Sequence, residues 1–180
     1  PVYNELGTQF YPHRIKGEGF FISVLKKIEE SENISLPKFK PSNVSSLFFK
    51  TFLSSDENST PFVKNDELYA LPVSCCNEMN LLMNNFFVRK AGIHIGTIKG
   101  KDLVPSHELA LCNSLNQHIP RLELSSEDAI RFMKCESVNT TGLPNGWVVI
   151  TFNNFPLGWI KVIGNRSNNY FPRSLRILKS

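Results

Sequence analysis

Residues 147–176 read WVVITFNNFPLGWIKVIGNRSNNYFPRSLR. The stretch holds two apolar runs, Trp147–Phe152 and Leu157–Val162. Asn153 and Asn154 lie between them, and asparagine tolerates the positive φ that a tight hairpin turn requires. The spacing therefore predicts a β-hairpin. The segment after it is rich in cations: Lys161, Arg166, Arg173, Arg176 and Lys179. From Ser137 to Ser180 these are five of the chain's twenty Lys/Arg, and none of its sixteen Asp/Glu falls there. The preceding residues carry fifteen bases against sixteen acids, so the net charge of +4 is built almost entirely at the C-terminus. A β framework with a local positive field and with Tyr170 and Phe171 inside it suits a polyanion such as a phosphate backbone.

At 180 residues and 41% hydrophobic composition, the chain is long enough for one large folded domain or two small ones. No apolar run approaches the ~20 residues of a membrane-spanning helix. The N-terminus lacks the apolar core of a secretory signal. The chain opens at Pro1, as a processed protein or a piece of a longer one would. Cys75, Cys76, Cys112 and Cys135 include no C-x-x-C pair. At this size a disulfide framework is not expected, a reducing cytoplasm is the simpler setting, and the thiols read as small buried apolar groups.

In chain order, Phe20–Leu25 reads as a buried strand entered through a turn at Gly17 and Gly19. Two strands joined this way make the edge of a sheet whose remainder lies elsewhere. Lys26–Lys40 is charged and polar, with Pro37 and Pro41 at its end, and reads as a linker. Ser42 or Asn43 can cap a helix carrying Val44, Leu47, Phe48 and Phe52, and a polar loop, Ser54–Thr60, follows. Two short strands flanking Asn65-Asp66-Glu67 read as a hairpin. Asn77 is a candidate cap for a helix with Met79, Leu82, Met83 and Phe86 on one face. Gly92–Thr97 alternates as a strand, Lys99–Asp102 is a turn, and Pro105-Ser106 opens a helix bearing Leu109, Leu111, Cys112 and Leu115. Leu122–Leu124 is a short strand. Ser125, with Asp128 three residues on, caps a helix carrying Ala129, Ile130 and Met133. The whole is an α+β chain: a terminal hairpin over 1–27, a linker and small mixed domain over 28–90, and a compact mixed barrel over 91–180.

Chemistry is sparse in this sequence. His107 and His118 flank Cys112, but H-x4-C-x5-H is not a zinc spacing and lacks a fourth ligand. The Gly17-x-Gly19 pair enters a strand, so it is no nucleotide loop. No catalytic and no metal-ligating residue is assigned.

Tyr11-Pro12-His13-Arg14 followed by Gly17-Glu18-Gly19-Phe20-Phe21-Ile22 is similar to the closing strands of the catalytic domain in the Nop/Sun family of RNA cytosine-5 methyltransferases. Downstream, Leu68–Val73, Gly92-Ile93, His107-Glu108 with Ala110-Leu111, and Ile163–Arg166 running to Phe171–Leu175 resemble the C-terminal extension of a bacterial ribosomal RNA methyltransferase of that family. That resemblance implies the end of a methyltransferase sheet, a small middle domain and a C-terminal PUA-like β-barrel that binds RNA. The family's catalytic cysteines sit in Pro-Cys and Thr-Cys motifs upstream of the Gly-Glu-Gly-Phe-Phe stretch; Cys75-Cys76 lies downstream and is not that site. The glycine-rich cofactor loop is also missing from this sequence. S-adenosylmethionine is therefore expected only in a separate catalytic domain, with no cofactor in this chain.

Three functions come into question, and a stand-alone enzyme using the His107, Cys112 and His118 group, which metal analysis would settle, is the least favoured. In the first, the chain is the RNA-recognising end of a methyltransferase, a cytoplasmic monomer without membrane contact whose partner is small-subunit ribosomal RNA. Lys161, Arg166, Arg173 and Arg176 are the expected phosphate contacts, with Lys99 and Lys101 bordering them if the barrel closes. Asn168, Asn169 and Tyr170 are expected at sugars or an unpaired base, whereas Phe171 and Trp159 are expected to pack in the core. In the second, the chain is a protein-interaction or spacer module without direct RNA contact.

Overall fold

The computed structural model describes residues 2–14, 16–24, 26, 36, 38–40, 43–54 and 58–178. Most of the expected linker, the Ser42 cap, part of the Ser54–Thr60 loop and Lys179 lie outside the described residues. The chain divides into two compact units, Pro1–Ser35 and Leu36–Ser180.

The first unit is one antiparallel sheet of β1 (Val2–Asn4), β2 (Gly7–Phe10) and β3 (Phe20–Ile22), in that order. It contains one strand more than the expected hairpin. Phe20 stacks on Phe10 across the β2–β3 pair, with ring centroids 4.4 Å apart. The strand expected to be buried is not: Phe20, Phe21 and Ile22 are 49%, 48% and 47% exposed. Three short strands cannot cover both their own faces.

The second unit opens with α1 (Asn43–Phe52) and a meander of β4 (Ser59–Lys64), β5 (Glu67–Pro72), β6 (Ile93–Lys99) and β7 (Asp102–Pro105), all antiparallel. The β4–β5 turn is the expected one, with Asn65 and Asp66 at φ 51° and 64°. Between β5 and β6 runs α2 (Cys76–Asn85). Asn77 does not cap it; its side-chain oxygen accepts from the Phe39 backbone N–H at 2.8 Å. Among the described side chains of α1, Phe49 and Phe52 are buried, followed by Leu53, while Leu47 stands 67% exposed.

The division expected at residue 90 falls inside this sheet. β5 pairs with β6 through Leu68↔Gly96, Tyr69↔His94 and Ala70↔Ile93. The residues on either side of 90 thus share one sheet and one core, because backbone groups of β5 and β6 satisfy each other directly.

A second sheet has the order β11-β10-β9-β8, with β8 (Arg121–Glu123), β9 (Gly146–Phe152), β10 (Phe155–Ile163) and β11 (Arg166–Asn169). The β9–β10 hairpin turns at Asn153 and Asn154, φ 50° and 65°, with Phe152 opposite Phe155. β8 joins β9 in parallel. The long helix expected after Pro105 is a single turn, α3 (His107–Ala110), capped by Ser106, whose Oγ accepts from Leu109 N–H at 3.0 Å. The helix after Ser125 is α4 (Ser126–Met133), and Ser125 Oγ accepts from Asp128 N–H at 3.2 Å. Ala129 and Phe132 face inward there, while Ile130 is 43% exposed. The described strands of the second unit form two four-stranded sheets, not a closed barrel.

The β9–β10 ribbon is covered on both faces. Val149 and Trp159 join Phe49, Phe52, Leu68, Ile95 and Leu109 in the core shared by the two sheets. Val148, Ile150, Ile160 and Val162 pack with Phe132, Ala129 and Leu124 on the α4 side. This double burial explains why Val148-Val149-Ile150 does not alternate with polar residues, as one-sided antiparallel strands do. A register shift between Pro156 and Gly158 keeps Trp159 on the shared-core face. A Cβ at Gly158 would lie 3.2 Å from Phe132 Cζ and 3.3 Å from His107 Nδ1, so glycine is what permits the close approach of α4 and α3.

Candidate nucleic-acid interface

Strand alternation decides where the basic segment points. Directly paired residues share a face of the sheet, as do residues two apart on one strand. Trp147 pairs with Lys161, Lys161 with Asn168, and Ile163 with Arg166. Trp147, Lys161, Arg166 and Asn168 therefore stand on one face, at the end of the sheet where β9 begins. Tyr170, two residues beyond Asn168, follows the same side and packs against the shared core. Its ring meets Trp147 edge to face, centroids 4.6 Å apart. Lys161 Nζ lies 5.3 Å from the Trp147 ring centroid, a cation–π contact.

The neighbouring residues go the other way. Asn169 donates to Phe132 O and Glu136 O, both at 2.9 Å, and accepts from Phe171 N–H at 2.8 Å. Its amide is fully engaged in tying β11 to the end of α4 and presents nothing outward. Phe171 packs edge to face on His107 and Phe132, each at 5.5 Å. Trp159 is 1% exposed and donates to Ser106 O at 2.7 Å. Phe171 and Trp159 are core residues, as their sequence context suggested.

The remaining cations do not join this face. Arg173 is exposed in a 3-10 turn, Arg173–Leu175. Arg176 borders a small cleft with Lys134 and Glu136 beyond α4. Lys99 and Lys101 are exposed at the β6–β7 turn of the other sheet. Among the described residues, none of Lys161, Arg166, Arg173, Arg176, Lys99 and Lys101 forms an ion pair with an acid.

At the tip of the β10–β11 turn a cleft of about 490 Å³ opens between residues 137–143 and 164–167. Ser137, Asn139, Thr140, Thr141 and Ser167 offer it hydroxyl and amide groups, and Arg166 its charge. No acid lines it. Sequence reasoning found Arg166 but not these neutral partners, whose only signal was the lack of acids after residue 136.

The histidine–cysteine group forms no site. Among the described residues, no three His, Cys, Asp or Glu side chains are placed to hold a metal. All four cysteines are free thiols. His107 lies against Phe171 and Gly158, its Nδ1 buried without a partner, and burial pushes its pKa below the usual range. His94 instead bonds Glu67, which Thr97 also contacts at 3.0 Å, on the first sheet.

A mixed α+β unit thus ends in a basic, aromatic-bearing sheet face, and part of it is similar to a known family. Residues 119–177 match the family described as the Methyltransferase RsmF PUA domain. The chain as a whole matches the C-terminal part of RsmF-like proteins. It is 26% identical over 181 residues to the Ribosomal RNA small subunit methyltransferase F of Enterobacter sp. (strain 638), covering 92% of this chain and 36% of that protein. The proteins of the same name from Shigella dysenteriae serotype 1 and Salmonella arizonae are each 25% identical over 179 residues, with the same coverage. The chain thus spans about a third of the length of the curated relatives it matches.

Proposed function

We propose that this chain is the RNA-binding C-terminal region of an S-adenosylmethionine-dependent ribosomal RNA cytosine-5 methyltransferase, and that it positions the RNA for a separate catalytic domain. The observation that carries the reading is the shared face of β9, β10 and β11, where Lys161 and Arg166 stand unpaired with acids beside Trp147 and Tyr170. Cations on a rigid sheet, next to aromatic rings and a hydroxyl-lined cleft, suit the phosphates, sugars and exposed bases of structured RNA. Lys161 and Arg166 serve as the primary phosphate contacts and Asn168 as a sugar contact. Arg173, Arg176, Lys99 and Lys101 contribute longer-range steering.

S-adenosylmethionine would supply the methyl group in the catalytic domain; this chain's own residues bind and orient RNA. In this reading residues 1–27 complete that domain's sheet. The exposure of Phe20, Phe21 and Ile22 is what the margin of a larger sheet displays when considered alone. The RNA is that of the small ribosomal subunit, the setting is the cytoplasm, and the chain acts as a monomer. Among the described residues no helix is long and apolar enough to cross a membrane. The same exposed residues favour the second reading, a protein-interaction module, which a salt-sensitive pull-down of protein without RNA would support.

The test is a filter-binding assay with small-subunit ribosomal RNA at two salt concentrations. Lys161→Ala with Arg166→Ala should weaken binding and reduce the salt slope by about two phosphate contacts' worth. An unchanged affinity and slope would reject the assignment.

A further inference from the structure

Beside the cationic face, a second feature of the same sheet end has a different chemistry. A groove of about 330 Å³ is lined by Phe52, Asn116, His118, Ile119, Pro120 and Trp147. This lies within the roughly 300–1,000 Å³ of clefts that take small ligands. It shares Asn116 and His118 with a neighbouring cleft of about 420 Å³ bordered by Lys50 and Gln117. The walls come from the C-terminal end of α1 and from the 116–120 segment, which are fixed to each other. Asn116 N–H donates to Phe52 O at 2.9 Å, and Asn116 Nδ2 to Thr51 O at 3.2 Å. Asn116 Oδ1 in turn accepts from His118 N–H at 3.0 Å. The Trp147 ring is held edge to face by Trp159 and Tyr170 at 6.3 and 4.6 Å. An immobilised indole costs little further ordering when a flat ligand stacks on it.

The charges around the groove choose the occupant. Lys161 holds its ammonium 5.3 Å from the indole centroid, and Lys50 stands exposed at the far rim. Arg121 is exposed on β8, opposite Val149, on the face that also carries Trp147. No Asp or Glu lines either cleft. An apolar, aromatic slot flanked by cations is complementary to a planar ring attached to a phosphodiester.

We infer that this groove captures one unpaired nucleobase of a single-stranded RNA segment, stacked against Trp147, with its flanking phosphates on Lys161 and Lys50. The inference rests on the RNA-binding reading above and adds to it a base-binding site distinct from the backbone contacts of Arg166. Stacking on an indole is tolerant of sequence, so the groove selects for unpaired RNA over duplex and not for one base.

The two tryptophans supply the readout. Trp159 is 1% exposed, so Trp147 dominates the emission that acrylamide can reach. The 180-residue chain is titrated with a short oligoadenylate and with an abasic phosphodiester of equal length. The oligoadenylate should quench the accessible emission, shield it from acrylamide, and bind about tenfold or more tighter than the abasic strand. Trp147→Leu should abolish that preference while leaving the weaker abasic binding in place. If that variant does not fold, the titration of the unmodified chain decides. Equal affinities for the two strands, with unaltered Trp147 emission, would overturn the groove and leave the cationic face standing. Binding of neither strand, nor of small-subunit ribosomal RNA, would remove both.

Discussion

His107 shows how a residue that looked chemical in the sequence acts through packing. Its ring lies against Phe171, and its Nδ1 is buried without a partner. Burial lowers its pKa because the cationic form loses hydration that nothing in the fold replaces. The unfolded chain, with a histidine near the ordinary value of about 6.5, therefore binds the proton more readily than the folded one. The neutral ring's contribution is present in full above that value and is lost as the pH falls toward the depressed folded pKa. Melting temperatures of the parent chain and His107→Gln at about pH 7.5 and about pH 5.5 check this. The parent should lose more stability on acidification than the variant. Equal losses would show that His107 is not the group responsible. The neighbouring residues differ in the same manner: Lys161 lies over the Trp147 ring on one face of the sheet, while Asn169, eight residues on, bonds the end of α4 on the other.

At the scale of elements, the β9–β10–β11 ribbon presents different side chains on its two faces. Arg166, Asn168 and Tyr170 take one side; Ser167, Asn169 and Phe171 take the other. Asn169 clamps β11 to α4 through Phe132 O and Glu136 O. Asn169→Ala would take away the partner of Glu136 O and of the Phe171 N–H, while Phe132 O keeps the Cys135 N–H at 2.9 Å. The expected loss is about 1–3 kcal/mol in urea denaturation, with RNA affinity unchanged. A fall in affinity at constant stability would instead return Asn169 to the binding surface. Several elements were legible because their signals are local. Asn153-Asn154 carries its own positive φ, and Ser125 caps the turn it precedes. The alternation within Arg166–Phe171 was also readable, but its inward side was not. Which side faces the core depends on α4, more than thirty residues upstream. The pairing of Trp147 with Lys161 was hidden too. A hairpin turning at Asn153-Asn154 without interruption would put Lys161 opposite Gly146, and the irregularity between Pro156 and Gly158 moves it by one. The groove beside Trp147 needed Phe52 from α1 as well, a contact that no local pattern signals.

For the whole molecule, the expected division at residue 90 gives way to a single compact unit from Leu36 to Ser180. Its shared core draws on α1, both four-stranded sheets and α3. The expected boundary came from grouping local elements and from the family resemblance, whereas the pairing of β5 with β6 across it is set by backbone hydrogen bonding. The cations are gathered less fully than their clustering in sequence suggests: Lys161 and Arg166 share a face, while Arg173 and Arg176 lie beyond the last strand. The proposed RNA contacts therefore fall at one end of one sheet. Amide chemical-shift mapping of the 180-residue chain against small-subunit ribosomal RNA fragments tests this most directly. Shifts concentrated in β9, β10 and β11, the 116–120 segment and the 137–143 loop are the predicted result. Shifts centred instead on β4–β7, or scattered evenly over the surface, would contradict it.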